Sequence, residues 1–248
     1  MLIIKVLFWE VKIAVWFIHT STMAETAHRC SEDFFTKGRI AGRVEPTATV
    51  YTISSMTGRT HDLAAVTALG VVLFAVGAPA HLTLATALVA LLANQIGGIL
   101  PDIDQPTAPL WRLLPIGKLF GRGFDVLIGG HRFLTHSLLG VGLFGLLSWW
   151  LLHVLQPIMP AIDVTIVWWA FMIGVVSHLV MDSFTKEGVP WLLPVPVKFG
   201  IPPLKSFRIT TGKAVEMWLL FPGLIALDVW LCTSHYGFLI ALIHQQLR

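Results

Sequence analysis

Residues 63–100 read LAAVTALGVVLFAVGAPAHLTLATALVALLANQIGGIL, without a single Asp, Glu, Lys or Arg. Gly77-Ala78-Pro79 breaks the run near its middle. A membrane-crossing helix needs about 20 apolar residues, and Gly-Pro clusters mark turns. The stretch is therefore predicted to be two spans, 63–80 and 82–100, folded back on each other as a helical hairpin. A second hairpin follows downstream: residues 137–156 and 164–184 are apolar, joined by Gln156-Pro157-Ile158-Met159-Pro160. Residues 214–233 make a fifth span, and the apolar tail 236–244 is too short to cross alone. The expected fold is all-α, a polytopic integral membrane helical bundle of about five spans with long cytoplasmic loops.

Composition agrees. The chain is 55% hydrophobic and 12% charged, with a mean hydropathy of +0.76, against about 25% charged residues in a soluble domain. Its two cysteines, Cys30 and Cys232, have no CxxC or zinc-finger spacing, so neither a disulfide framework nor a zinc ribbon is expected. The net charge of +3 is small, and direct nucleic-acid binding is not expected.

Upstream, residues 1–21 are apolar but carry Lys5, Glu10 and Lys12 inside the run, where a signal peptide would have a clean apolar stretch. Residues 22–60 are polar and mixed in charge. Met56 opens Met56-Thr57-Gly58-Arg59-Thr60-His61, which reads as a bacterial start. Residues 1–55 are accordingly expected to be an extension, either a mis-assigned start or an amphipathic surface arm, and residues 56–248 the membrane domain.

The distribution of charge orients the bundle. Of the 17 Lys and Arg residues, seven lie in 1–60, four in the 102–135 loop and five in the 185–213 loop, while the hairpin turns 77–81 and 153–163 have none. Each hairpin returns the chain to its starting side, so residue 60 and both loops share one face. By the positive-inside rule that face is cytoplasmic.

The same face collects the chain's unusual polar groups. His61 precedes the first span, and Pro101-Asp102-Ile103-Asp104 ends the second. His131-Arg132-Phe133-Leu134-Thr135-His136-Ser137 leads into the third, and Ser177-His178 through Asp182 ends the fourth. Ionisable groups at the ends of membrane segments are costly, and so are functional candidates. His178 and Asp182 are spaced i, i+4 on one helix face. Asp102 and Asp104 are expected to point the same way from an extended segment. Imidazole and carboxylate together form the ligand set of Zn, Mn or Fe. The expected metal ligands are His61, Asp102, His131, His136, His178 and Asp182, for one or more divalent ions, zinc foremost. Such an ion lowers the pKa of its water towards about 7. Arg132 could hold a phosphate or carboxylate by a bidentate contact. Asp104 or Asp62 could act as general base or orient a ligand imidazole. His81, His153, His235 and His244 read as ordinary interfacial side chains.

From Met56 onward, His61, Leu100-Pro101-Asp102-Ile103-Asp104, Gly130-His131-Arg132-Phe133-Leu134-Thr135-His136-Ser137, Ser177-His178 through Asp182, Thr185 and Gly188-Val189 follow one another in an order that resembles the YdjM/YbcI type of bacterial inner-membrane protein. Members are described as membrane-bound metal-dependent hydrolases, some as LexA-binding. The resemblance covers about residues 56–240 and matches at His61, Asp102, Asp104, His131, Arg132, His136, His178 and Asp182. It implies a multi-pass protein of the bacterial inner membrane with a metal site at the cytoplasmic face. A more distant similarity to the all-helical zinc-dependent phospholipase C type implies several zinc ions among the same residues.

The expected function is hydrolysis of an ester or phosphoester, including one in a lipid of the surrounding bilayer. The alternatives are a non-catalytic membrane protein that recruits a LexA-like partner, and a metal or proton transporter. Clustering of the polar groups at one face disfavours transport, which needs them near the midplane.

Overall fold

The computed structural model describes residues 58–104, 134–195, 197–210 and 214–244, all within one compact unit, Ile53–Arg248. The expectation for residues 1–55 lies outside the described residues. Among the described residues six α-helices carry the fold: α1 (Gly58–Val76), α2 (Leu84–Ile99), α3 (Leu138–Leu155), α4 (Val164–Ser183), α5 (Phe221–Ser234) and α6 (Tyr236–His244). No strand occurs among the described residues. Among the described residues five helical segments are long and apolar enough to cross a membrane: Gly58–Val76, Leu84–Asp104, Leu138–Ile158, Val164–Ser183 and Glu216–Ser234. The nine-residue α6 is not among them.

Two expectations about local structure change. The first helix begins at Gly58 rather than 63, so His61 sits within its first turn instead of before it. The polar Thr60 and His61 are both buried, which removes the reason to leave them outside the helix. Residues Leu100–Asp104 form a 3-10 turn, not an extended segment. Proline is tolerated in a first helical turn, so Pro101 continues the chain in a tighter spiral and rotates Asp104 away from Asp102.

Caps fix where the helices start. Ser137 Oγ accepts from the Gly140 N–H at 3.1 Å at the head of α3. Asp163 Oδ1 accepts from Thr165 and Ile166 at the head of α4. At this end, away from the buried histidines, His81 Nε2 meets Asp163 Oδ2 at 2.9 Å and links the two hairpin turns. Burial is the largest single influence on the Asp163 carboxyl and would raise its pKa, but the Ile166 and Thr165 N–H groups together with His81 outweigh it and hold the group below the usual carboxylate range.

α4 is the central helix. Its span is 56% buried, against 11% for Leu138–Ile158 and 6% for Glu216–Ser234. The outward side chains of those two, such as Leu146, Trp150, Trp218 and Trp230, face lipid. α2 and α4 meet through glycine. A Cβ on Gly97 would strike the Phe171 carbonyl, and one on Gly174 would strike the Asn94 carbonyl. Without a hydrophobic drive between helices in lipid, small residues that permit close approach do the packing. Asn94 completes the seam by donating to the Ala170 carbonyl at 3.0 Å.

After α4 the chain is pinned back onto its own end. Val189 and Phe199 exchange N–H···O bonds of 2.8 and 2.9 Å, Ile201 N–H donates to Ser183 O, and Ile209 N–H donates to Phe184 O. The Leu138 N–H donates to Trp191 O, which ties this segment to the head of α3.

Gly174→Ala should cost about 1–3 kcal/mol through overpacking. Gly142→Ala, which has open space around its Cβ position, should leave stability unchanged or raise it by up to about 1 kcal/mol. Thermal unfolding of the detergent-purified protein distinguishes them, and equal melting temperatures would refute the seam.

Candidate metal centre

The ends of three spans and the turn before α3 deliver five polar side chains to one place. His61 comes from α1, Asp102 from the 3-10 turn after α2, and His136 from the turn before Ser137. His178 and Asp182 come from the last turns of α4. His61, His136, His178 and Asp182 are all at most 2% exposed, while Asp102 keeps 18% side-chain exposure.

Hydrogen bonds decide which ring nitrogens face inward. His178 Nδ1 lies 2.6 Å from the Gly98 carbonyl. A carbonyl only accepts, so Nδ1 carries the hydrogen and Nε2 presents a lone pair. Thr135 Oγ1 donates to Asp104 Oδ2 at 2.6 Å and lies 2.9 Å from His136 Nδ1. Its one hydrogen is spent on Asp104, so its oxygen accepts from Nδ1–H, and His136 Nε2 also turns inward. This is the arrangement that commonly orients imidazole ligands around a metal.

The inward atoms form a cage. His136 Nε2 is 3.3 Å from Asp182 Oδ2 and 3.7 Å from Asp102 Oδ1. His178 Nε2 is 3.6 Å from Asp102 Oδ1 and 3.9 Å from Asp182 Oδ2. Bonds of about 2.0–2.1 Å to a tetrahedral ion put its donors about 3.3 Å apart, and these four His–Asp separations, 3.3 to 3.9 Å, are of that order. His61 approaches the other oxygen of Asp182, at 3.4 Å, and stacks on His178 with ring centroids 4.0 Å apart. Two triads, His61–His178–Asp182 and Asp102–His136–His178, therefore could each hold an ion, and they share His178.

Without an ion the centre is poorly satisfied. Both ring nitrogens of His61 and Nε2 of His178 are buried without a hydrogen bond, and an unsatisfied buried polar atom is costly. Burial alone would lower the pKa of His136, but Asp104 and Asp182 outweigh it and raise it to about 9. A bound cation would take the place of that proton.

Five of the six expected ligands thus come together, and Asp104 joins them on the far side of the His136 ring. His131 and Arg132 lie outside the described residues. Asp62 is half-buried on α1, and its carbonyl accepts from Gln95 Nε2. Sequence reasoning passed over Thr135 and the Gly98 carbonyl, whose roles are visible only in three dimensions. It also passed over two acids in the fifth span. Glu216, 2% exposed, accepts from Thr60 Oγ1 at 2.7 Å, and Asp228 Oδ2 accepts from Thr67 Oγ1 at 2.9 Å. Acidic residues inside an apolar run were the available signal.

Fold and site together define a multi-pass helical membrane protein with a buried His/Asp centre at one end of its bundle. The chain matches the family profile described as "YdjM inner membrane protein" over residues 56–244. It belongs to the YdjM inner membrane protein family, and is an inner membrane protein. It is 36% identical over 134 residues to "Inner membrane protein YdjM" of Escherichia coli (strain K12), covering 53% of this chain and 59% of that protein. The Shigella flexneri protein of the same name matches equally. The chain thus spans somewhat over half the length of these relatives. It is also 28% identical over 166 residues to YvsG of Bacillus subtilis (strain 168), covering 66% of this chain and 88% of that protein. No solved structure matches.

Thr135→Val should weaken affinity for a divalent metal by about 10- to 100-fold, as loss of an outer-shell partner does. His81→Asn, at the opposite end of the bundle, should leave it unchanged. Competition with a chromogenic chelator reads both, and equal effects would refute the assigned role of Thr135.

Proposed function

We propose that this chain is a membrane-bound metal-dependent hydrolase acting on an ester or phosphoester. The observation that carries the reading is the pair of largely buried triads, His61–His178–Asp182 and Asp102–His136–His178, with the rings of His136 and His178 oriented by Thr135 and the Gly98 carbonyl. The N/O donor set favours zinc, with manganese or iron compatible with the same ligand types. When bound, the ion supplies Lewis acidity and a nucleophilic water at neutral pH.

The chain's own residues complete the chemistry. Asp102, the one partly exposed member of the cage, marks the side from which substrate and water enter. Asp104 acts through His136, since it lies 3.5 Å from Nδ1 and not on the Nε2 side. It is a positioning residue that strengthens this imidazole as a ligand. Asp62 is the remaining carboxylate for general-base work. His131 adds a ligand, and Arg132 holds the substrate's phosphate or carboxylate.

The centre faces the cytoplasm in this reading, because the loops on its side of the membrane carry the lysines and arginines. A site at the membrane end also suits a substrate drawn from the adjoining leaflet.

Purified protein under metal-replete conditions should carry stoichiometric divalent metal and cleave an ester or phosphodiester substrate from a lipid and soluble panel. His136→Ala and His178→Ala should lose both metal and turnover. Metal-free wild type would overturn the reading, and so would metal-loaded protein inactive across the panel. A reporter fused after residue 120 should read cytoplasmic; a periplasmic signal would overturn the orientation.

A further inference from the structure

Beyond the metal centre, the segment after α4 contains a cavity of about 380 Å³ lined by Ser183, Trp191, Leu192, Phe199, Gly200 and Ile201. Its wall is apolar apart from Ser183, whose hydroxyl is occupied, donating to Leu179 O and accepting from Trp191 Nε1. The cavity is open, and the apolar side chains at its mouth are outward: Leu192 is 50% exposed, Phe199 43% and Ile201 57%. Farther along, Leu204 and Phe207 are also exposed. In water this would be an expensive surface. The cavity's lining runs from Ser183, the last residue of α4, to the segment 191–201.

At the cavity's edge is a cation with no counter-charge among the described residues. Arg208 is only 8% exposed. Its Nε donates to Pro202 O at 2.7 Å and its Nη2 to Pro203 O at 3.0 Å. No carboxylate among the described residues pairs with it, and Nη1 has no acceptor among them. The guanidinium rests directly on Gly200, in the space a Cβ would fill, so cavity and cation share that one residue. The exposed Lys198 and Lys205 flank the same stretch. A buried charge is expensive unless paired, and a guanidinium is well suited to phosphate.

We propose that this is a phospholipid-binding site: one acyl chain of a leaflet phospholipid fills the cavity, and its phosphate is bound by Arg208 Nη1. An apolar slot contiguous with an uncompensated, nearly buried guanidinium is complementary to an amphiphile with an anionic head, and to neither a neutral lipid nor a free phosphate alone. Lys198 and Lys205 add long-range attraction to anionic lipid. The proposal goes beyond hydrolysis and does not need it, because a lipid can occupy the site with or without a metal in the cage. Ser183, which lines the cavity, follows Asp182 directly in the chain.

The test is photolabelling of the full chain in nanodiscs, with phosphatidylglycerol carrying a diazirine near the end of one acyl chain. Peptides spanning 191–201 should be labelled several-fold more than the lipid-facing stretch 146–151 of α3. A diacylglycerol probe with the same diazirine, which lacks the phosphate, should label 191–201 several-fold less. Ile201→Asp, at an exposed position of the wall, should abolish the excess labelling. Arg208→Gln should reduce phosphatidylglycerol labelling to the diacylglycerol level; because Arg208 also braces Pro202 and Pro203, the diacylglycerol comparison in wild type keeps the test independent of that variant's folding. Equal labelling of 191–201 and 146–151, or equal labelling by the two probes, would overturn the site. His178→Ala should be labelled like wild type, which separates this outcome from failure of the hydrolase reading.

Discussion

The close approach of α2 and α4 is the constraint on which the centre depends. Gly97 and Gly174 let each backbone rest against the other, so that a single methyl group at either position would collide with a carbonyl. Only at that separation can the Gly98 carbonyl reach His178 Nδ1 at 2.6 Å. That contact fixes the tautomer of the residue shared by both metal triads. A seam that looks like ordinary small-residue packing in lipid therefore also sets the direction in which the central imidazole points. The same seam places the 3-10 turn after α2 beside the last turns of α4, bringing Asp102 opposite His178 and Asp182.

Electrostatics explains why the helix ends, and not the midplane, hold the cage. Three imidazoles and two carboxylates, with Asp104 behind them, would be costly deep in hydrocarbon. At the ends of the spans Asp102 retains contact with solvent while its partners are sealed. The carboxylates of Asp104 and Asp182 favour positive charge at His136 and outweigh the effect of its burial. The asymmetry of the two aspartates follows from the 3-10 turn. Asp102 is aimed at the Nε2 atoms, whereas Asp104 is aimed at Thr135 and His136 Nδ1, so adjacent carboxylates of one short motif have different work.

Much of this was legible in the chain. Uncharged apolar runs of about 20 residues have few alternatives to a membrane helix, which is why the spans and their hairpin pairing could be read directly. His178 and Asp182 were legible because helical periodicity places i and i+4 on one face. The 3-10 turn was not, since proline is equally at home in an extended stop and in a first helical turn. Thr135 lay inside a motif that was quoted for its histidines, but its role depends on Asp104, 31 residues away. Glu216 was overlooked because the fifth span remains apolar on average with the acid included, and averages conceal a single buried charge.

That acid bears on how the last span is held. Glu216–Ser234 is only 6% buried, so apolar packing contributes little to its position. Two hydrogen bonds attach it to α1, Thr60–Glu216 near the centre and Thr67–Asp228 farther along. Leu231 against Gly70 and the stacking of His235 on Phe74 continue the contact towards the opposite end. Interhelical hydrogen bonds in membranes average about 0.6 kcal/mol and reach about 2 kcal/mol, enough in combination to choose one docking face of a helix that lipid solvates equally well on the others. The π-helical turn Glu216–Leu220 is where the chain adjusts to this attachment, in keeping with the tendency of such turns to occur at functional sites. Because Thr60 precedes His61, the bond that docks the last span also holds the first turn of α1, and with it the imidazole that reaches the second oxygen of Asp182. The weakly buried span is thus coupled to the centre through one residue of backbone.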